Sequence, residues 1–216
     1  MSRRLALLLF AAAAAAAAPV LAQDPPPPAA EAPPAAAPKP ATVKVVLTTS
    51  AGPITLELEK QRAPITTANF LRYVDQKRLD GTTFYRALKF PGETPVGLVQ
   101  GGVHGAAKRL LPPIAHEPTT KTGLTHDQGA ISMARLAPGS AAGDFFIILG
   151  NLSALDANPD ATGDKDGYAV FGHVVDGMDT VVTLLNAPTS ATAGEGAMKG
   201  QIIAAPITII SARRAP

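Results

Sequence analysis

Six of the ten aromatic residues in this 216-residue chain fall in three short strand-like runs: Phe84 and Tyr85, Phe145 and Phe146, Tyr168 and Phe171. Adjacent residues on a strand point to opposite faces, so one member of each of the first two pairs must face something other than a core. Arg86 follows the first pair. An apolar shelf beside a fixed cation sketches a small site, although an arginine at the rim of a core also reads as an ion-pair partner.

Other chemistries find less support. The absence of cysteine removes thiolate nucleophiles, thiolate metal sites and disulfides. His104, His116, His126 and His173 show neither helical i,i+4 pairing nor the carboxylate spacing of a zinc site, and read as scattered surface or loop residues. The run Asp156-Ala157-Asn158-Pro159-Asp160 opens like a calcium loop but places Ala161 at the sixth position and Gly167 at the twelfth. Asp164-Lys165-Asp166-Gly167 reads as a polar turn. In Gly139-Ser140-Ala141-Ala142-Gly143 the serine is not central between the glycines, which argues against a hydrolase using Ser140 or Ser132. Gln100-Gly101-Gly102-Val103-His104-Gly105 lacks the lysine of a phosphate loop.

The scaffold that must position these residues is mainly β. Val43, Val45 and Leu47 alternate with Lys44, Val46 and Thr48, and Ile54, Leu56 and Leu58 with Thr55, Glu57 and Glu59, across a Ser50-Ala51-Gly52 turn: a hairpin. Pro64 suits the first turn of a helix to about Lys77, with Ile65, Ala68, Leu71 and Val74 along one side. Strand-like runs follow at residues 82–86, 96–100, 129–134, 144–149, 168–175 and 206–211, with a second helix over 178–186 capped by Asp176. Eight strands and two helices favour a closed antiparallel barrel over an open sheet, because closure hides the strand edges.

The termini carry separate information. Arg3-Arg4, the uncharged run from Leu5 to Ala18 and Val20-Leu21-Ala22 read as an export signal, residues 1–22, cleaved after Ala22. The apolar run is shorter than the roughly 20 residues that span a bilayer. Residues 23–42 hold eight Pro and seven Ala in twenty positions, a spacer reaching at most roughly 60 Å. The expected domain is then 43–216. The net charge of +2 comes from Arg3 and Arg4, so the remainder is neutral and offers no strongly basic surface for nucleic acid.

Phe84-Tyr85-Arg86, Gln100-Gly101-Gly102, the run from Gly129 to Arg135 with Pro138, Phe145-Phe146-Ile147 and Tyr168-Ala169-Val170-Phe171-Gly172 resemble, in order and in nearly all spacings, the cyclophilin-type peptidyl-prolyl isomerases. The resemblance covers about residues 43–211 and implies an eight-stranded antiparallel barrel capped by two helices. It implies that Arg86 is the catalytic arginine and Gln100 its neighbouring glutamine. Leu98 and Phe146 would wall a proline pocket, Ala134 and Arg135 would pair with substrate backbone, and Tyr168 stands where many members have histidine. Asp144 occupies the place of a common glutamine, where a carboxylate could pair with Arg86 and compete with substrate. Gly97 stands where an aromatic is usual, with Phe90 a candidate substitute, and the 13 residues between Arg86 and Gln100 exceed the usual connection.

Rotation about an Xaa-Pro bond breaks no bond, so the reaction requires no nucleophile, metal, general base or cofactor. Its barrier of ~18–20 kcal/mol reflects amide resonance, and a cation that binds the twisted amide better than the planar one lowers it. The expected partners are unfolded or partly folded Xaa-Pro-containing polypeptides in the periplasm, secretion being the other destination. The mature chain is expected to be monomeric and not membrane-inserted. A non-catalytic proline-peptide-binding or chaperone module on the same fold is the alternative.

Overall fold

The computed structural model describes residues 41–92 and 94–215. The expected signal, and the spacer as far as residue 40, lie outside the described residues. The first hairpin pairs β1 (Val43–Thr49) with β2 (Gly52–Leu58). Its alternation is the one in the sequence: Val45, Leu47, Ile54, Leu56 and Leu58 are fully buried. The turn is tightened by Thr49, whose Oγ1 donates to the Gly52 carbonyl at 2.7 Å and accepts from Ala51 N at 3.1 Å.

Six further long strands complete the sheet: β3 (Thr82–Phe90), β4 (Val96–Gly102), β5 (Ala130–Met133), β6 (Asp144–Leu149), β7 (Ala169–Asp176) and, after the two-residue β8 (Thr189–Ser190), β9 (Ile202–Arg214). Their order is β1-β2-β7-β5-β6-β4-β3-β9, and β9 pairs back onto β1, closing an eight-stranded antiparallel barrel with β8 appended to β9. Closure gives the backbone N–H and C=O groups of every long strand a neighbour on both sides. The expected fold class is the observed one. The long connection after Arg86 is absorbed by extending β3 and β4 as a hairpin, with Lys89 opposite Gly97 and Phe90 opposite Val96.

Helix α1 (Pro64–Asp75) plugs the barrel with a face that half matches the expected stripe, Leu71 and Val74 being buried as expected. Ile65 is 40% exposed and Ala68 also faces solvent, whereas Phe70, Tyr73 and Val74 are buried. Large aromatic rings bury far more apolar area than alanine, and Phe70 docks against Phe145 and Phe171 at ring separations of 5.4 and 5.2 Å. The start of α1 has no local side-chain cap. Glu117, buried and distant in sequence, supplies one by accepting from Ile65 N, Thr66 N and Thr66 Oγ1 at 3.2, 2.8 and 2.7 Å.

A one-turn helix, α2 (Thr119–Thr122), was not foreseen; α3 (Met178–Leu185) was. Asp176 does not cap α3, because it still belongs to β7, paired with Thr55. The cap position is Gly177 at φ 87°, where a Cβ would lie 2.3 Å from the Pro53 carbonyl oxygen, so backbone proximity selects glycine over a capping side chain. Among the described residues, no helix is long and apolar enough to cross a membrane.

Candidate active site

The site is built on the outer face of three neighbouring strands. On β3, Phe84 points into the core, fully buried and 5.7 Å from the Phe145 ring. A bulge follows: Phe84 opposes Gly101 and Arg86 opposes Gln100, leaving Tyr85 as the extra residue. Without that insertion, strict alternation would send Arg86 inward with Phe84. With it, Tyr85 and Arg86 both face outward, and Ala87 returns to the core at 4% exposure. On β4, Leu98 and Gln100 flank the fully buried Val99. On β6, Phe146 pairs with Gln100, while Phe145 faces inward. The two adjacent aromatic pairs thus divide as the sequence requires, one ring to the core and one to the site.

All eight sequence-predicted residues, Arg86, Leu98, Gln100, Ala134, Arg135, Asp144, Phe146 and Tyr168, line one cavity of about 550 Å³. Phe146 and Tyr168 meet edge to face at 5.3 Å and form its apolar corner with Leu98. The polar wall is a chain of directed hydrogen bonds. Arg86 Nη1 donates to Gln100 Oε1 at 2.8 Å, which orients the Gln100 amide so that its Nε2 donates to Tyr85 OH at 2.6 Å. Tyr85 OH in turn donates to Asp144 Oδ2 at 3.1 Å. From its other edge, Arg86 Nε donates to Gln201 Oε1 at 2.8 Å.

Burial sets the protonation of this wall. It lowers the pKa of Arg86, which nonetheless stays charged, as arginine does. It raises that of Tyr85, assisted by the neighbouring Asp144 charge, so Tyr85 remains a neutral donor. The Asp144 carboxyl is also pushed above its usual range by burial, and among the described residues its Oδ1 has no hydrogen-bond partner. His104 stacks on the Tyr85 ring at 4.5 Å and approaches Asp144 Oδ2 at 3.8 Å.

The family described as "Cyclophilin type peptidyl-prolyl cis-trans isomerase/CLD" matches residues 44–213. The chain belongs to this family. A protein of Acinetobacter baylyi named peptidyl-prolyl cis-trans isomerase is 37% identical over 155 residues, 69% of this chain and 76% of the relative. Peptidyl-prolyl cis-trans isomerase A of Dickeya dadantii is 41% identical over 140 residues, 62% of this chain and 67% of the relative. The crystal structure of a Cryptosporidium parvum cyclophilin-type isomerase superposes with a TM-score of 0.63 at 23% identity, covering 82% of this chain and 99% of that one.

Within the cyclophilin frame, the departures acquire physical reasons. The expected Asp144–Arg86 pair does not form, because Gln100 and Tyr85 stand between them as successive links. Gly97 cannot carry an aromatic here, since a Cβ would fall 2.0 Å from the Leu88 carbonyl oxygen on the partner strand. Phe90 is 41% exposed and lies outside the cavity, so it is no substitute. Ala134 follows the end of β5, and its N–H is given to the Asp144 carbonyl at 2.9 Å. The Arg135 side chain turns away to the segment 164–167, accepted by Asp164 and by the Gly167 carbonyl, with its guanidinium 5.0 Å from the Tyr168 ring centre. That engagement occupies Asp164, one carboxylate of the calcium-like run, and among the described residues no three acidic or histidine side chains cluster to hold a metal ion.

Two features were missed by sequence reasoning. His126 is not a surface histidine but fully buried, with Nδ1 at 2.6 Å from Asp156 Oδ1 and Nε2 at 3.0 Å from Ser132 Oγ. Burial holds its pKa below 6.5, so the neutral ring donates to Asp156 and accepts from Ser132. The order of groups is that of a hydrolase relay, yet Ser132 is itself fully buried and does not line the cavity. The imidazole instead lies parallel to the Phe146 ring at 6.0 Å, as backing for the apolar corner. Gln201 is the second omission. It follows a glycine-rich loop with no local pattern, and only the pairing of β9 with β3 brings it to Arg86.

Proposed function

We propose that this isomerase accelerates Xaa-Pro rotation in exported, newly translocated polypeptides, with Arg86 as the group that stabilises the twisted amide. The observation that carries the reading is a charged guanidinium, held by two side-chain amides, in the same cavity as the Phe146–Tyr168 corner. As the peptide bond turns, the prolyl nitrogen loses conjugation and its lone pair localises. A donor aimed at that nitrogen binds the twisted state more than the planar one, and this difference is what accelerates the step. The apolar corner holds the prolyl ring and keeps water from the contact, which strengthens it. Gln100 fixes the cation, and the outer wall from Ala134 to Asp144 borders the residues preceding proline.

The export signal at 1–22 and the Pro/Ala spacer at 23–42 support a periplasmic location, where slow proline steps limit the folding of arriving chains. The decisive assay is NMR exchange or protease-coupled isomerisation of an Ala-Pro peptide by wild type and Arg86→Ala. Loss of turnover with retained peptide binding supports the assignment. Binding without turnover by the wild type would instead make the domain a proline-peptide-binding module. Cell fractionation with N-terminal sequencing tests export, the expected mature start being Gln23.

A further inference from the structure

The cation of this site is gripped on two edges, and the second grip comes from a segment without an assigned role. The loop between β8 and β9 runs through a short turn, Gly196–Met198, places Met198 on the cavity and ends at Gln201. Gln201 is anchored by its own backbone and side chain. Its N–H donates to the Met198 carbonyl at 3.0 Å, its carbonyl accepts from Ala87 N at 2.9 Å, and its Nε2 donates to the Ala197 carbonyl at 2.7 Å. The last bond fixes the amide so that Oε1 faces Arg86 Nε at 2.8 Å. With Gln100 on Nη1, Nη2 is the guanidinium nitrogen left without an acceptor among the described residues.

Both acceptors are neutral. Arg62, Arg135, Arg213 and Arg214 of the same chain pair with Glu59, Asp164, Asp80 and Asp75, whereas Arg72, Arg78 and Arg109, which also meet neutral acceptors, lie outside the cavity. A carboxylate would hold a guanidinium at least as firmly as an amide, and more strongly still where water is excluded. It would also cancel most of the positive field that a localising lone pair feels. An amide positions without neutralising. We infer that Gln201 is a positioning residue for the isomerisation, holding Arg86 in register through a neutral acceptor and leaving its charge for the twisted amide. This rests on the role proposed for Arg86 and deepens it.

The test compares wild type, Gln201→Ala, Gln201→Met and Gln201→Glu by NMR exchange on an Ala-Pro peptide, which reads the rotation rate in the complex separately from peptide affinity. Gln201→Met keeps the side-chain volume without the acceptor and guards against collapse of the loop. The expected result is a rotation rate lowered about three- to tenfold in the Ala and Met variants, the worth of one hydrogen bond, with peptide affinity within twofold of wild type. Gln201→Glu falls further at pH 7, about 10-fold or more, although its thermal midpoint is equal or higher. Its rate relative to wild type recovers only as pH falls below the ordinary glutamate value of about 4.3, because the Arg86 guanidinium holds the new carboxyl ionised. Taking that ratio removes the titration the variants share with wild type, Asp144 included. A Glu variant as fast as wild type at pH 7, or Ala and Met variants within twofold, overturns the inference. Because the wild-type rate is measured in the same series, its absence would instead count against the isomerisation site itself.

Discussion

Arg86 and Arg135 line the same cavity, yet their guanidinium groups are held by different chemistry. Arg135 has a side chain only 2% exposed, and its donors are taken by Asp164, the Gly167 carbonyl and the Leu136 carbonyl at 3.1 Å. Its charge is matched where it sits, and the product is architecture: the 164–167 turn is pinned and the Tyr168 wall is backed by a cation at 5.0 Å. Arg86 is only half-buried and meets two amides, so its charge is desolvated but not matched. Matched charge stabilises a fold. Unmatched charge costs something in the resting protein and acts on whatever enters.

The largest expected effect separates the two. Arg86→Ala lowers kcat/KM by about 10²–10³-fold, the range for removing one preorganised donor, and leaves the urea midpoint at or slightly above wild type because a desolvated charge is gone. Arg135→Ala does the reverse. Losing its bonds to Gly167 strands a shielded carbonyl, costing about 1–3 kcal/mol of unfolding free energy, while kcat/KM per folded molecule falls about tenfold at most. An Arg135 variant that folds normally but loses turnover, beside an active Arg86 variant, would break the contrast.

How far the contrast could be read in advance depended on distance along the chain. The barrel was legible because period-2 alternation is written locally, as in Val43–Leu47 and Ile54–Leu58. The division of Phe84 from Tyr85, and of Phe145 from Phe146, followed from adjacency alone. The bulge at Tyr85 that turns Arg86 outward has no local mark, since register is settled between strands. Gln201 and Asp156 were invisible for the same reason, their partners lying 115 and 30 residues away. The stripe for α1 holds at Leu71 and Val74 but not at Ile65 and Ala68, because those two fit the period as well as Phe70 and Tyr73 do, and only the volume available at the barrel mouth decides between them.

His126 extends the contrast to a buried neutral group. Its folded pKa lies below the ordinary 6.5, burial being the main cause, so protons bind the unfolded chain more readily. The stabilisation from neutral His126 is therefore complete above about pH 6.5 and is lost as pH falls below that value. His126→Gln should unfold more easily than wild type by about 1–3 kcal/mol at pH 7.5, with the gap narrowing at pH 5. A constant gap between those pH values would show that the ring is not the titrating element. Since the ring also lies against Phe146, weakened peptide binding is expected from the same variant.

The smallest effect concerns Asp144, the carboxylate at the far end of the relay from Arg86. Its folded pKa is raised above 3.8, chiefly by burial, and Oδ1 lacks a partner among the described residues. Ionisation is thus harder in the folded protein, and the sign is opposite to that of His126. The destabilisation is absent below about pH 3.8 and complete once pH has risen past the folded value. Asp144→Asn keeps an acceptor for Tyr85 OH and removes the charge, so it should be about 1 kcal/mol more stable than wild type at pH 7, with no advantage near pH 3.8. Direct competition for Arg86 would make this variant much faster than wild type. With Gln100 and Tyr85 intervening, kcat/KM should change only about two- to fivefold, the worth of one relayed neutral hydrogen bond. A gain of 10²-fold would mean that the carboxylate reaches the guanidinium in solution, and Arg86 would then be as matched as Arg135.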